Sequence, residues 1–181
     1  MSITIEEMRT IAQKTLEEAK ARLVAENNFD PAIFLAVDSV IVNIPFPGNA
    51  MNSGKAKSML FGVVKLMAKE LNADAVVFLS DGWTLEFTDE QRARFSDPEY
   101  AAAFERISRD EGAVRCAELG YGELWEVILV TVQSPLLNIL VTQLYQRHPT
   151  GSPPTFARFG RAKSVEDATG AECSMILVLT Q

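Results

Sequence analysis

Residues 52–83 read NSGKAKSMLFGVVKLMAKELNADAVVFLSDGW, and this segment carries the clearest structural pattern in the chain. In its first part, apolar residues recur at three- and four-residue steps, which is the spacing of one face of an α-helix. These residues are Ala56, Met59, Leu60, Val63, Val64, Met67, Ala68 and Leu71. The continuous apolar run at 75–79 is typical of a strand that is covered on both faces. We therefore expect an amphipathic helix that lies across a sheet containing this strand.

β-rich runs occur on both sides of this segment. Residues 32–38 and 40–46 predict a hairpin. Residues 83–87 predict a second strand, or a continuation of the first one past a bulge at Gly82. Further strands are predicted at 124–132, 139–145, 156–163 and 171–180. This order of helices and strands predicts an α+β fold with a mostly antiparallel sheet and one long amphipathic helix across a face.

The N-terminus has the pattern of a second amphipathic helix. Thr4-x-x-Glu7 has the form of a capping box, in which each of the two side chains accepts a backbone hydrogen bond from the other residue. The apolar stripe that follows is narrow and interrupted by alanine, so we expect a peripheral helix over residues 1–26 that packs on the sheet or on another copy of the chain. Residues 1–181 are predicted to form a single domain.

Composition limits the classes of protein to which the chain can belong. Hydrophobic residues make up 48% of the sequence and charged residues 23%, which is ordinary for a soluble globular protein. No apolar run approaches the length of a transmembrane helix, and the N-terminus is acidic where a signal peptide would be basic. We therefore predict a cytoplasmic protein without membrane contact. Cys116 and Cys173 are interpreted as reduced thiols, and no metal or cofactor is predicted.

The distribution of charge bears on nucleic-acid binding. The net charge of −7 argues against general affinity for nucleic acid. Residues 143–163 nevertheless contain four bases and no acid, and Arg147, Arg158 and Arg161 alternate there with aromatic residues. Such a segment could bind an anion or a nucleic-acid single strand by charge and stacking. The other interpretation is ordinary packing with arginines whose stems cover apolar surface.

The helix–strand joint at residues 66–83 resembles a segment of a family of small bacterial and phage proteins, in which the helix ends in ADAVVFVSEAW. Eight positions match that segment: Ala73, Asp74, Ala75, Val76, Val77, Phe78, Ser80 and Trp83. Asp81-Gly82 stands where the family has Glu-Ala. In the family a strand hairpin precedes this joint and a β-rich half follows it, so the resemblance supports the predicted fold. It implies no activity.

Two groups of residues could carry chemistry. His148 is the only histidine in the chain, and it is the one side chain with an ordinary pKa near neutrality. Ser80, Asp81 and Trp83 follow a buried strand, where polar side chains often form sites. Together these four residues predict a pocket for a small ligand or a substrate. The alternative interpretation is that His148 lies exposed in a loop, that Asp81-Gly82 forms a turn and that Trp83 packs in the core.

Non-catalytic binding is the function that the sequence favours. No combination of nucleophile and base appears at a recognised spacing, so the chain is not assigned as an enzyme. We expect a cytoplasmic protein that binds a protein partner or another copy of itself, with the N-terminal helix as the candidate surface. The alternatives are an enzyme or small-ligand receptor with its pocket near Asp81, Trp83 and His148, and an anion or single-strand site formed by the basic segment at 145–163.

Overall fold

A computed structural model describes residues 3–28, 30–38, 40–45, 54–135, 137–148 and 152–156. Within these ranges the helices are α1 (Ile5–Glu26), α2 (Gly54–Glu70), α3 (Asp89–Arg94), α4 (Pro98–Asp110) and α5 (Gly112–Glu118). The strands are β1 (Ala32–Val37), β2 (Val40–Ile44), β3 (Ala75–Glu86), β4 (Glu123–Gln133), β5 (Asn138–Gln146) and β6 (Thr155–Phe156). Most of the strand predicted at 156–163, and all of the one at 171–180, lies outside the described residues.

The strands form a six-stranded sheet, counted over the described residues, in the order β2-β1-β3-β4-β5-β6. Every neighbouring pair is antiparallel, which confirms the α+β fold and the predicted hairpin of β1 and β2. β3 is one continuous strand, since its register with β4 runs unbroken from Val76 to Glu86. The predicted bulge at Gly82 is therefore wrong, because Gly82 keeps its place in the ladder opposite Val127.

α1 begins as the sequence predicts. The Thr4 N–H donates to Glu7 Oε2 at 2.7 Å, and the Glu7 N–H donates to Thr4 Oγ1 at 3.3 Å, so the capping box is formed. From Met8 onwards the apolar stripe of α1 is buried and belongs to the larger core cluster, whereas Ile5 at its start is 40% exposed. The buried residues are Met8, Ala12, Leu16, Ala19 and Leu23. α1 is thus more central than a peripheral helix, because its alanines let it lie close against β4 and β5.

α2 packs on the opposite face of the sheet. Leu60 and Val64 are buried in a second cluster with Ile33 and Leu35 of β1, and Phe61 meets the Phe78 ring edge-to-face at 5.6 Å. The two helices lie on opposite faces because successive residues of β3 alternate between the two clusters. The predicted helix across a face is confirmed. Within the described ranges we find no helix whose length and apolarity would let it span a bilayer.

Only half of the predicted apolar stripe of α2 reaches the sheet. Met59 is 64% exposed and Val63 is 51% exposed, although both belong to the predicted stripe, and Leu66 beside them is 64% exposed. The physical reason is the width of the apolar arc. It covers well over half of the helix circumference, whereas one sheet face can bury only the part centred on Val64.

The helices after β3 enclose a separate aromatic cluster. Thr88 caps α3 and Asp97 caps α4, with Pro98 in the first turn of α4. Aromatic rings from α4 and from the segments that flank α3 and follow α5 meet at centroid distances of 4.9–5.8 Å. They are Phe87, Phe95, Tyr100, Phe104 and Tyr121. This cluster anchors the helices beside the part of β3 and β4 that carries the polar candidates.

Candidate functional site

Ser80 and Asp81 lie on opposite faces of the sheet. Ser80 is buried on the α2 face, two residues from Phe78, and its hydroxyl has no hydrogen-bond partner among the described residues. Asp81 lies on the α1 face, beside Ile128 of β4. Because strand neighbours alternate in direction, the two side chains point away from each other. The structure does not bring these two residues together.

Asp81 belongs instead to a charged cluster on the α1 face. Trp83, Glu126 and Tyr145 lie side by side across β3, β4 and β5. Arg147 reaches over them: its Nε is 3.0 Å from Glu126 Oε2, and its Nη2 is 3.8 Å from Asp81 Oδ2. The same Nη2 donates a hydrogen bond to the Tyr145 hydroxyl at 3.1 Å. The structure therefore brings together Asp81, Trp83 and Arg147, which the sequence assigned to two different sites.

The electrostatics of this cluster follow from partial burial. Burial raises the pKa of Tyr145, since the phenolate would lose its hydration. For Arg147, partial burial works to lower the pKa, but the hydrogen bond to Tyr145 and the nearby carboxylates of Glu126 and Asp81 outweigh it and raise the pKa overall. Tyr145 therefore stays neutral and Arg147 stays charged at neutral pH. Arg147, a candidate for binding an anion, is already close to two carboxylates of its own chain.

The remaining polar candidates fall in different places. His148 is exposed, and its Nε2 makes a hydrogen bond with Thr155 Oγ1 of β6. Trp83 is 49% exposed, so it is not a core residue. Arg158 and Arg161 lie outside the described residues. Among the residues that the structure does describe, no group of three or more His, Cys, Asp or Glu side chains is placed to hold a metal ion.

Cys116 is a buried free thiol on α5. Burial raises the pKa of this thiol, and the nearby Glu111 carboxylate adds to the effect. A thiol with a raised pKa is a poor nucleophile at neutral pH. Cys116 therefore gives no support to thiol chemistry. Cys173 lies outside the described residues.

A groove of about 580 Å³ lies between the polar side of α1 and strand β5. Its floor contains Ile139 and Val141, and its α1 wall is polar. The charged residues of that wall are Glu6, Arg9, Lys14 and Glu17. Two acids and two bases give the groove no net charge, and Arg9 is 3.6 Å from Glu6 in an ion pair. Nothing in this lining selects a particular ligand.

The most distinctive exposed feature is an apolar surface on α2. The sequence pattern placed Met59 and Val63 in the apolar stripe of this helix, but it did not show that they would be exposed. We define the α2 band as Met59, Val63 and Leu66, three large apolar side chains that are each at least half exposed. Phe61, which contacts β3, is about 200° of helical rotation away from Met59. The α2 band therefore faces away from β3.

The β2 edge is a second exposed apolar feature. β2 is the last strand on its side of the described sheet, so its outer backbone groups have no partner strand among the described residues. Val40 is 61% exposed on the α2 face of the sheet, and β2 (VIVNI) contains no charged residue. Ile41 is 54% exposed on the opposite face. Protein sheets usually protect such an edge with charges, proline or a covering element. An exposed apolar helix face is typical of an interaction surface, and so is an uncharged sheet edge.

Comparison of the chain with protein-family models, with curated proteins and with solved structures finds no match. The resemblance of residues 66–83 to the bacterial and phage proteins stays a prediction from that segment.

Proposed function

We propose that this chain is a non-catalytic cytoplasmic protein that acts by binding, and that it associates with another copy of itself through the α2 band. The observation that supports the proposal is the exposure of Met59, Val63 and Leu66 on one side of one helix. Full burial of a large apolar side chain is worth roughly 1.5–3 kcal/mol. Covering three half-exposed side chains would therefore stabilise an assembly by about 4 kcal/mol for each copy.

The polar groups support binding better than catalysis. The single histidine of the chain is exposed and hydrogen-bonded to Thr155, and Asp81 is close to the guanidinium of Arg147. A general base needs a free carboxylate or imidazole within hydrogen-bond reach of a bound substrate. In the cluster of Asp81, Glu126 and Arg147, the two carboxylates are instead close to the guanidinium. The proposed activity therefore belongs to a surface and not to a reactive centre.

The double substitution Met59→Glu and Leu66→Glu is expected to abolish self-association. Light scattering should give a molar mass above that of the monomer for the wild type, and the monomer mass for the variant, because two carboxylates would have to be buried in the interface. The matched control is Val24→Glu with Val114→Glu, since both valines are also exposed, on α1 and α5. This control should keep the wild-type mass.

All four substituted positions are at least 44% exposed, so circular dichroism should show that both variants stay folded. The control should melt as the wild type does, whereas the α2 variant should melt as the dilute wild-type monomer does, because it lacks the stabilisation that association adds. A wild type that is strictly monomeric at all concentrations would contradict the proposal. So would a control variant that loses association to the same extent as the α2 variant.

A small-ligand receptor is the second candidate function. Its support is the half-exposed Trp83 indole beside Asp81 and Glu126, two carboxylates that face the single positive charge of Arg147. An aromatic face next to excess negative charge suits an organic cation. Choline is expected to raise the melting temperature of the wild type, and this shift should be lost in Asp81→Ala and in Trp83→Ala. An unchanged shift in both variants, or no shift in the wild type, would remove this candidate.

A further inference from the structure

The α2 band lies between two opposite charges on the same side of the helix. At about 100° per residue, Lys55, Met59, Leu66 and Glu70 fall within an arc of roughly 60°. Lys55 and Glu70 are both exposed, and they mark the two ends of the apolar seam. The helix thus presents one continuous line, with a base at its start, apolar side chains along it and an acid at its end.

This line is self-complementary. Lys55 and Glu70 are equally distant from the point between Gly62 and Val63, and so are Met59 and Leu66. A two-fold axis through that point would place Lys55 opposite Glu70 of a second copy, about 11 Å along the helix on each side. The same axis would place Met59 opposite Leu66 of the second copy. Both the charges and the apolar side chains would then meet complementary groups.

Gly62 lies where the two helices would cross. A Cβ atom built on Gly62 has nothing within 4 Å among the described residues, so packing against that part of the chain does not explain a glycine at this position. Glycine in a helix interior lowers helix stability relative to alanine. Its lack of a side chain would, however, let a second helix approach closely at the axis.

We propose that two copies of the chain associate through antiparallel α2 helices, related by a two-fold axis at Gly62–Val63, with Lys55 of each copy paired with Glu70 of the other. This inference rests on the proposed function, since it specifies the geometry of the same surface. An isologous contact of this kind closes as a dimer and does not propagate into a filament. A second copy is the occupant that the charges favour, because a single helix supplies both halves of the complementary pattern.

The test is a charge-reversal cycle measured by sedimentation equilibrium. Lys55→Glu alone and Glu70→Lys alone each place like charges together at both ends of the seam, so each should weaken the dimer about tenfold. The double variant Lys55→Glu/Glu70→Lys restores opposite charges and should return to within about threefold of the wild-type Kd. An equimolar mixture of the two single variants should associate more tightly than either variant alone, because both contacts in the mixed dimer are then between opposite charges.

Lys65→Glu is the matched control, because Lys65 is exposed on the same helix but about 120° away from Met59. Its dimer should have a Kd within about threefold of the wild type. In a mixture with either single variant it should restore only one of the two charge contacts, so the mixed dimer should be weaker than that of the two single variants together. A double variant as weak as the single ones would overturn the antiparallel register while leaving the α2 band as the binding surface. A wild type that stays monomeric would overturn both proposals.

Discussion

Leu23→Ala is expected to lower the free energy of unfolding by about 2–5 kcal/mol, the range for truncating a fully buried leucine. Leu23 has no exposed surface and lies in the core cluster that α1 shares with β3, β4 and β5. Its neighbour Val24 is 51% exposed, so Val24→Ala should change the free energy of unfolding by less than about 0.5 kcal/mol. Urea denaturation of the two variants measures this difference. Equal effects would show that α1 does not pack as described.

The burial of α1 also determines what deletion of residues 1–26 would do to the protein. Removing residues 1–26 would expose the side of the sheet that Met8, Leu16 and Leu23 cover. The shortened chain is therefore expected to unfold or aggregate. Its light scattering would report the loss of the fold and not the loss of self-association. Substitutions on α2 leave the core intact, which makes them the better test of self-association.

Arg147→Met is expected to lower the free energy of unfolding by about 2 kcal/mol. The Glu126 side chain is only 12% exposed, and it would lose the guanidinium that lies 3.0 Å away. Removing one partner of a fully buried pair costs about 3–5 kcal/mol. The expected cost of about 2 kcal/mol is smaller because Arg147 is itself one third exposed. Urea denaturation at neutral pH measures the effect.

Arg115→Met is the matched control for this substitution. Arg115 pairs with Glu111 and Glu118, and all three side chains are about half exposed. Such surface pairs contribute about 0–1 kcal/mol, so this variant should be nearly as stable as the wild type. If the two arginine variants lost the same stability, the cluster around Glu126 would be no more buried than an ordinary surface ion pair.

Local patterns in the sequence predicted much of this fold. The three- and four-residue spacing over 54–70 and the apolar run at 75–79 predicted α2 and the buried part of β3. The capping box at Thr4 predicted where α1 begins. These features depend on residues within one or two turns of each other, so the sequence contains all the information that they need.

Other features could not be predicted because they depend on distant parts of the chain. The periodicity of α2 measures how wide its apolar arc is, but not how much of that arc the sheet covers, so Met59 and Val63 were expected in the core. Asp81 and Arg147 meet only because β3, β4 and β5 are neighbours, an order that no local pattern specifies. α5 was missed because residues 113–122 show no helical period, although Cys116 is fully buried there.

Oxidation of Met59 by hydrogen peroxide, followed by mass spectrometry, tests most directly whether a second copy covers the α2 band. Met8 is buried in the core and serves as the internal control that should resist oxidation at every concentration. We predict that Met59 is oxidised readily in dilute monomer and protected severalfold at concentrations where the dimer forms. Oxidation of Met59 at the same rate across that concentration range would contradict the assignment of the α2 band as the interface.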